Sequence, residues 1–500
     1  MLALSFRATL ALVGVLSLAP LAKAQTITEI IDAGGDGINS LSRATGVTSD
    51  QFCNAYVAGQ FSHNAFMITQ SGGITELIDA TGDGLGNTLS APWSIAVDLS
   101  SNVYVAGYSS HNAFKIAPDG SISEIIDNAG DGVGNSLTGA ADITTDGAGN
   151  VYVTGYGSDN AFKITPSGAI TQIIDSTGDG KGNLLSKPIG VSVDGSGNVY
   201  IAASGSKNAF KVTQGGAITQ IIDAAGDGAG NSLFYPFDIA VDLSENAYIT
   251  DAINNSCFMI APNGVIKEII DATGDGVGNS LMRPYVVDVD GGGNVFVTGM
   301  MSHNAFRITP AGTITEILDS TGDGSGNTLS NPWGISVDRA NNVYIAGTGS
   351  NNALMIKPNC GLTYCDSNPN NGGGIGVDTC SCVAGSINVT LTGAKPGQFG
   401  YLLVGAGSGV ITNPPGALGD LCLVGSSIGR YTLDSGVTDG SGSMSTDILN
   451  AISGGGGGGI PNPPGGDYCS PAGQTWNFQY WHRDGMNPSR FSQAISVKFN

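Results

Sequence analysis

The chain is short of positive charge, of histidine and of long apolar runs, and each shortage removes a class of function. Only 19 of its 500 residues are Lys or Arg, against 41 Asp or Glu, for a formal net charge of −22. Phosphate backbones and anionic membrane surfaces repel so acidic a chain, which excludes nucleic acid as an expected partner and leaves cations, or solubility alone, as what the charge serves. The four histidines give no paired spacing for zinc: His63, His111 and His303 fall one to a repeat, and His482 stands apart between Trp481 and Arg483. After the first two dozen residues no apolar run approaches the roughly 18–20 residues that a membrane-spanning helix needs, so no transmembrane segment is expected. The chain holds no H-E-x-x-H pair, no P-loop and no dinucleotide fingerprint.

What is present begins with an export signal. Arg7 precedes an apolar run from Leu10 to Leu21, and Ala22-Lys23-Ala24 offers a small-x-small cleavage site. Residues 1–24 therefore read as a signal peptide, and the protein is expected to be secreted or held at the cell surface. Glycine is the commonest residue at 78, with no collagen triplet, and 41% of residues are hydrophobic, which fits a turn-rich globular β protein. Eight cysteines in an exported chain suggest disulfides, but Cys53 and Cys257 stand alone while Cys360, Cys365, Cys380, Cys382, Cys422 and Cys469 follow the repeats.

Self-similarity dominates the rest. The phrase ITEIID recurs with small changes from Ile27, Ile74, Ile122, Ile170, Ile218, Ile266 and Ile314, the first spacing being 47 residues and each later one 48. Each unit holds four short segments in which apolar residues alternate, such as Ile95 and Val97, Val103 and Val105, Phe114 and Ile116. That is the period-two pattern of strands with one buried face. Four antiparallel strands per unit, repeated seven times, predict a seven-bladed β-propeller over residues 25–358. The chain starts with an outermost strand at Ile27 and ends the repeats without one after Ile356, so the N-terminal strand is expected to complete the last blade and close the ring.

Segments such as Gly149-Asn150-Val151-Tyr152-Val153-Thr154-Gly155-Tyr156 and Pro332-Trp333-Gly334-Ile335-Ser336-Val337-Asp338 resemble bacterial seven-bladed propeller repeats and the related NHL repeats. The resemblance covers roughly residues 26 to 358. It implies the fold rather than an activity, since similar propellers include binding scaffolds, lyases and lactonases.

The most constant polar segment lies between each outermost strand and the next innermost one. It pairs Asp79, Asp83 and Asn87; Asp127, Asp131 and Asn135; Asp175, Asp179 and Asn183; Asp223, Asp227 and Asn231; Asp271, Asp275 and Asn279; and Asp319, Asp323 and Asn327. The first unit, one residue shorter, has Asp32, Asp36 and Asn39. Oxygen side chains with a glycine after the second Asp suit a calcium loop, although no acidic residue closes it at the twelfth position. Asp-Gly and Gly-Asn pairs equally suit a plain turn, and both readings stand on the sequence. These loops and the turns after each second strand should crowd one face of the ring.

Other repeated positions read as structural. Asp98, Asp194, Asp242, Asp290 and Asp338 are expected to brace hairpins on the opposite face. The repeated Phe66, Phe114, Phe162, Phe210, Phe258 and Phe306 are expected between blades. His63, His111 and His303 share a position with Asp159, Lys207, Asn255 and Asn351, a scatter that suggests an exposed turn.

Past the repeats, residues 359–385 read as a Cys-, Gly- and Asn-rich connector and 386–500 as a small disulfide-containing β-sandwich. The end of that module, from Trp476 to Asp484, resembles a β module at the C-terminus of assorted exported bacterial proteins. Because the blades are near copies, the whole reads as a monomeric, non-enzymatic scaffold that binds a protein, glycan or small molecule, with calcium as its candidate cofactor. The competing reading is a lyase- or lactonase-like enzyme at the mouth of the central channel. It would use the departures from the repeat: Asp142, Asp238, Tyr285 and Asp288.

Overall fold

The computed structural model describes residues 26–338 and 341–357 in full, and a set of strands between 362 and 498 as backbone. The expected signal peptide, residues 1–24, lies outside the described residues. So do the side chains of the six cysteines that follow the repeats, and with them the expected disulfides. Among the C-terminal strands, Phe399–Ile411 pairs with Leu421–Arg430 and Thr475–Arg483, and the latter pairs with Ser489–Lys498. A second sheet joins Gly374–Val377, Asn388–Thr392 and Met444–Asp447. No helix among the described residues is long and apolar enough to cross a membrane.

The seven repeats form seven four-stranded antiparallel sheets, the blades. Blades 1 to 7 have innermost strands Ala44–Ser49, Pro92–Val97, Ala140–Thr145, Pro188–Val193, Pro236–Val241, Pro284–Val289 and Pro332–Val337. Each innermost strand touches those of both neighbouring blades, so the ring is closed. The closing element is the N-terminal strand Thr26–Ile31, which pairs antiparallel with Asn352–Lys357 and supplies the outermost strand of blade 7. A free edge is thereby removed.

Burial departs from the one-sided pattern that alternation suggests. All five residues of the second strand Val103–Gly107 are buried, as are those of its six equivalents. A blade is clamped between two others, so both of its faces are dry, and the alternation separates two interfaces instead of inside from outside. Tyr56, Ala58, Ala65 and Ile78 of blade 1 pack against Ile95, Val103, Val105, Phe114 and Ile116 of blade 2. The repeated phenylalanines are fully buried in these interfaces, as expected, and Leu354 takes the place in blade 7.

The strand-ending aspartates do brace hairpins. Asp98 accepts hydrogen bonds from the amides of Ser100 (2.8 Å) and Asn102 (2.9 Å), from Asn102 Nδ2 (2.7 Å) and from the Tyr104 hydroxyl (3.0 Å). Asp50 and Asp146 do the same in blades 1 and 3, two positions that the sequence reading passed over.

The position shared by the histidines is not a free turn. His63 Nδ1 accepts the Ala91 amide, His111 Nδ1 that of Gly139 and His303 Nδ1 that of Asn331, each at 2.9 Å and each in the next blade. Asp159, Asn255 and Asn351 make the same bond to Lys187, Arg283 and Arg43. At six of the seven positions the scatter is thus restricted to acceptors. Lys207 cannot accept, and there Asp251 takes the Tyr235 amide at 3.0 Å instead.

Candidate functional site

The central channel is where the blades stop being copies. Each innermost strand carries a bulge at its start: in blade 5 Pro236 pairs with Asp251 and Ile239 with Ile249, so two inner residues, Phe237 and Asp238, face one residue of the second strand, Thr250. A bulge turns its extra residue out of the ladder and re-aims its neighbours. Here it sends one side chain to the channel mouth and the next into the channel.

Behind three of these bulges stands a threonine. Thr250 Oγ1 accepts the Asp238 amide (3.1 Å) and donates to the Tyr285 carbonyl of blade 6 (2.7 Å). Thr154 does the same between Asp142 N and the Ile189 carbonyl, and Thr298 between Val286 N and the Trp333 carbonyl. Blades 3, 5 and 6 are also the ones that bring carboxyls to the channel.

Those carboxyls are Asp142, Asp238 and Asp288, three of the four departures singled out from the sequence. Asp142 Oδ1 accepts the Ser94 hydroxyl of blade 2 (2.6 Å), and its Oδ2 accepts the Val191 amide of blade 4 (2.8 Å). Asp238 Oδ2 accepts the Val287 amide (3.0 Å). Asp288 bonds the amides of Val289 and Val337, each at 2.8 Å. Gly190 separates the first two, and a Cβ there would lie 2.6 Å from Asp238 Oδ1. All three line a cavity of about 220 Å³ that touches every blade and has no Lys, Arg or His in its walls.

Burial without a cation raises the pKa of all three, making them weaker acids. It raises that of Asp142, and lifts that of Asp288 to about 6. Asp238 goes well above the ordinary carboxyl range, first by burial and then by the nearby charge of Asp142.

Above the cavity, seven aromatic rings from five blades form one connected cluster. Trp93 stacks on Tyr108 at 3.8 Å and meets Trp333 edge-on at 5.7 Å. Phe237 stacks on Tyr285 at 4.2 Å, and both meet Trp333 edge-on, at 5.6 and 4.8 Å. Tyr235 lies against Phe237, and Tyr156 against Tyr108. Of these, only Tyr285 is among the four departures named from the sequence. Superposing the repeats at Thr45, Trp93, Ala141, Ile189, Phe237, Tyr285 and Trp333 was the signal for more.

The Asp-Gly loops sit farther out on the same face, as the hydrogen bond from Asn112 Nδ2 of a second turn to Thr88 O of the loop shows. Each loop brings its second Asp and its Asn together. Asp83 accepts the amides of Leu85 (2.8 Å) and Asn87 (3.3 Å) and the Asn87 side-chain amide (2.7 Å). The same pairs form at Asp131 and Asn135, Asp179 and Asn183, Asp227 and Asn231, Asp275 and Asn279, and Asp323 and Asn327. The first Asp closes its own turn instead: Asp79, Asp175, Asp271 and Asp319 bond the amide and hydroxyl of the threonine two residues on, and Asp127 and Asp223 the amide of an alanine. Gly82, at φ 66°, is required because a Cβ would collide with the Asn87 carbonyl. Among the described residues no group of three or more His, Cys, Asp or Glu is arranged to hold a metal.

Comparison with known proteins agrees with this architecture. Residues 84–115 match the family described as a beta-propeller repeat. No curated protein matches the sequence. A streptogramin B lyase structure is 16% identical, with 66% of this chain and 96% of that one covered and a TM-score of 0.51. A virginiamycin B lyase from Staphylococcus aureus is 15% identical, with 66% and 98% covered and a TM-score of 0.51. Identity so low speaks for the fold alone. On their repeats and their closed ring of blades, residues 26–357 form a seven-bladed β-propeller, one segment of which matches the beta-propeller repeat.

Proposed function

We propose that this chain is an exported, non-enzymatic binding propeller that takes a ring-bearing ligand, a glycan or a small molecule, at the aromatic mouth of its central channel. The observation that carries the proposal is the convergence of seven aromatic rings over a polar cavity in a molecule whose other loops are copies. Aromatic faces with polar tips over hydroxyls and carboxyls suit a ligand that is apolar on its faces and polar at its edges. A titration of the full chain with oligosaccharides, followed by tryptophan fluorescence, tests it. Saturable quenching supports the reading, and quenching that survives Tyr285→Ala and Trp93→Ala removes the mouth as the site.

The raised pKa values of Asp142 and Asp238, which hold the carboxyls protonated, favour a second reading, acid catalysis in the channel. It is the weaker one, because the cavity walls offer carboxyls and the hydroxyls of Ser94, Thr144, Ser192 and Ser336, but no unlike base. Turnover of a bound ligand that disappears in Asp238→Asn would establish it.

Calcium enters as a stabiliser of the loops. Carboxyls crowd where neighbouring blades meet: burial, and then the charges of Asp79 and Asp36, raise the pKa of Glu76, and that of Glu124 is raised likewise beside Asp127 and Asp83. A cation would relieve that crowding, in competition with the amides that now hold Asp83.

A further inference from the structure

Three cations occupy one repeat position around the mouth. Arg43, Lys187 and Arg283 each directly precede an innermost strand, with φ of 55°, 51° and 50°. Arg43 lies across the Phe61 ring, its Cζ 4.7 Å from the centroid, and is 6.0 Å from that of Trp333. Its Nε is buried without a partner. The charges of Arg283 and Arg43 both bear on the Tyr285 hydroxyl and offset part of the rise that burial imposes on it. Lys187 Nζ stands 5.7 Å from the Tyr156 ring.

Among the described residues none of the three forms an ion pair. Among the described residues only Lys211 forms one. The nearby carboxylates are used on backbone amides: Asp159 on that of Lys187, and Asp251 on those of Phe234 and Tyr235. Unpaired cations inside a ring of acidic loops focus an anion onto the centre of the face and keep it from the edge. Two guanidinium groups about one phenol hydroxyl suit a planar carboxylate better than a point charge does. The four tyrosine hydroxyls of the cluster, Tyr108, Tyr156, Tyr235 and Tyr285, suit a ligand rich in hydroxyls.

Resting on the binding function set out above, we propose that the ligand is an acidic saccharide: a uronic acid unit whose ring lies against the aromatic mouth and whose carboxylate sits between Arg43 and Arg283.

The test titrates the full chain with a galacturonic acid trisaccharide, the corresponding galactose trisaccharide and benzoate, by calorimetry and by the fluorescence of Trp93 and Trp333. The uronate should bind at least about tenfold more tightly than the neutral sugar, the discrimination that one charge-assisted contact supplies. Arg283→Gln, at an exposed position, should erase that preference without changing the melting temperature, and Lys187→Gln should reduce it. Uronate affinity should fall as salt is raised. Equal binding of both sugars, lost in Tyr285→Ala, would overturn the acidic ligand and leave the mouth as a sugar site. Binding of benzoate alone would overturn the saccharide. Absence of binding by all three, with tryptophan fluorescence unmoved, would overturn this inference and count against the binding reading as well.

Discussion

Replacing Asp288 by Asn tests whether the channel carboxyls are strained as their surroundings imply. Asp288 is deep in the ring, accepts two amides and has no cation beside it, and its pKa is raised from 3.8 to about 6. A rise of that size corresponds to about 3 kcal/mol. The folded value is the higher one, so the associated stability is fully present below pH 3.8 and is lost as pH rises through about 6. Asparagine keeps the shape but does not titrate, and it loses one acceptor toward Val337, a pH-independent cost of about 1 kcal/mol. Urea unfolding of the full chain and of Asp288→Asn from pH 4 to pH 8 gives the comparison. The stability of the parent relative to the variant should fall by about 2.5 kcal/mol across that range. A difference that stays flat with pH would refute the reasoning, because it would mean that Asp288 titrates as an ordinary carboxyl.

Other outcomes follow from single contacts. Asp98→Ala should lower stability by about 2–4 kcal/mol in thermal or urea unfolding, since it strands the buried Tyr104 hydroxyl and two amides. Thr250→Val leaves the Asp238 amide and the Tyr285 carbonyl without their partner, and should destabilise by about 1–3 kcal/mol and weaken ligand binding at the mouth together. Millimolar calcium should raise the melting temperature if the Asp-Gly loops bind it, and the rise should vanish in Asp271→Asn with Asp275→Asn; an unchanged melting temperature returns those loops to turn chemistry.

The blades were legible because each signal was local. The ITEIID spacing, the alternating Val103, Val105 and Phe114, and the Asp98 turn are all contained within one repeat. Ring closure was legible from phase, since Ile27 opens the repeats on an outermost strand. What depends on closure was harder to read. Val103–Gly107 is buried on both faces because a second blade covers it. His63 shares a varied position, yet its partner is the Ala91 amide of the next blade, set by ring geometry. Asp142, Asp238 and Asp288 could be chosen as departures from the repeat. That they share one cavity under Trp93, Phe237 and Trp333 follows from bulges that no period reveals. Arg43, Lys187 and Arg283 look like ordinary surface cations until the ring places them around one mouth.

The central claim is that the mouth of the channel binds a ligand and does not transform it. Calorimetric titration of the full chain with an acidic oligosaccharide, beside Trp333→Ala and the less buried Tyr285→Ala, tests this most directly. The account predicts one site per chain, at least about tenfold weaker in both variants, with the variants still folded and the saccharide recovered intact. Undiminished binding in folded Tyr285→Ala, or a saccharide cleaved during the titration, would contradict it.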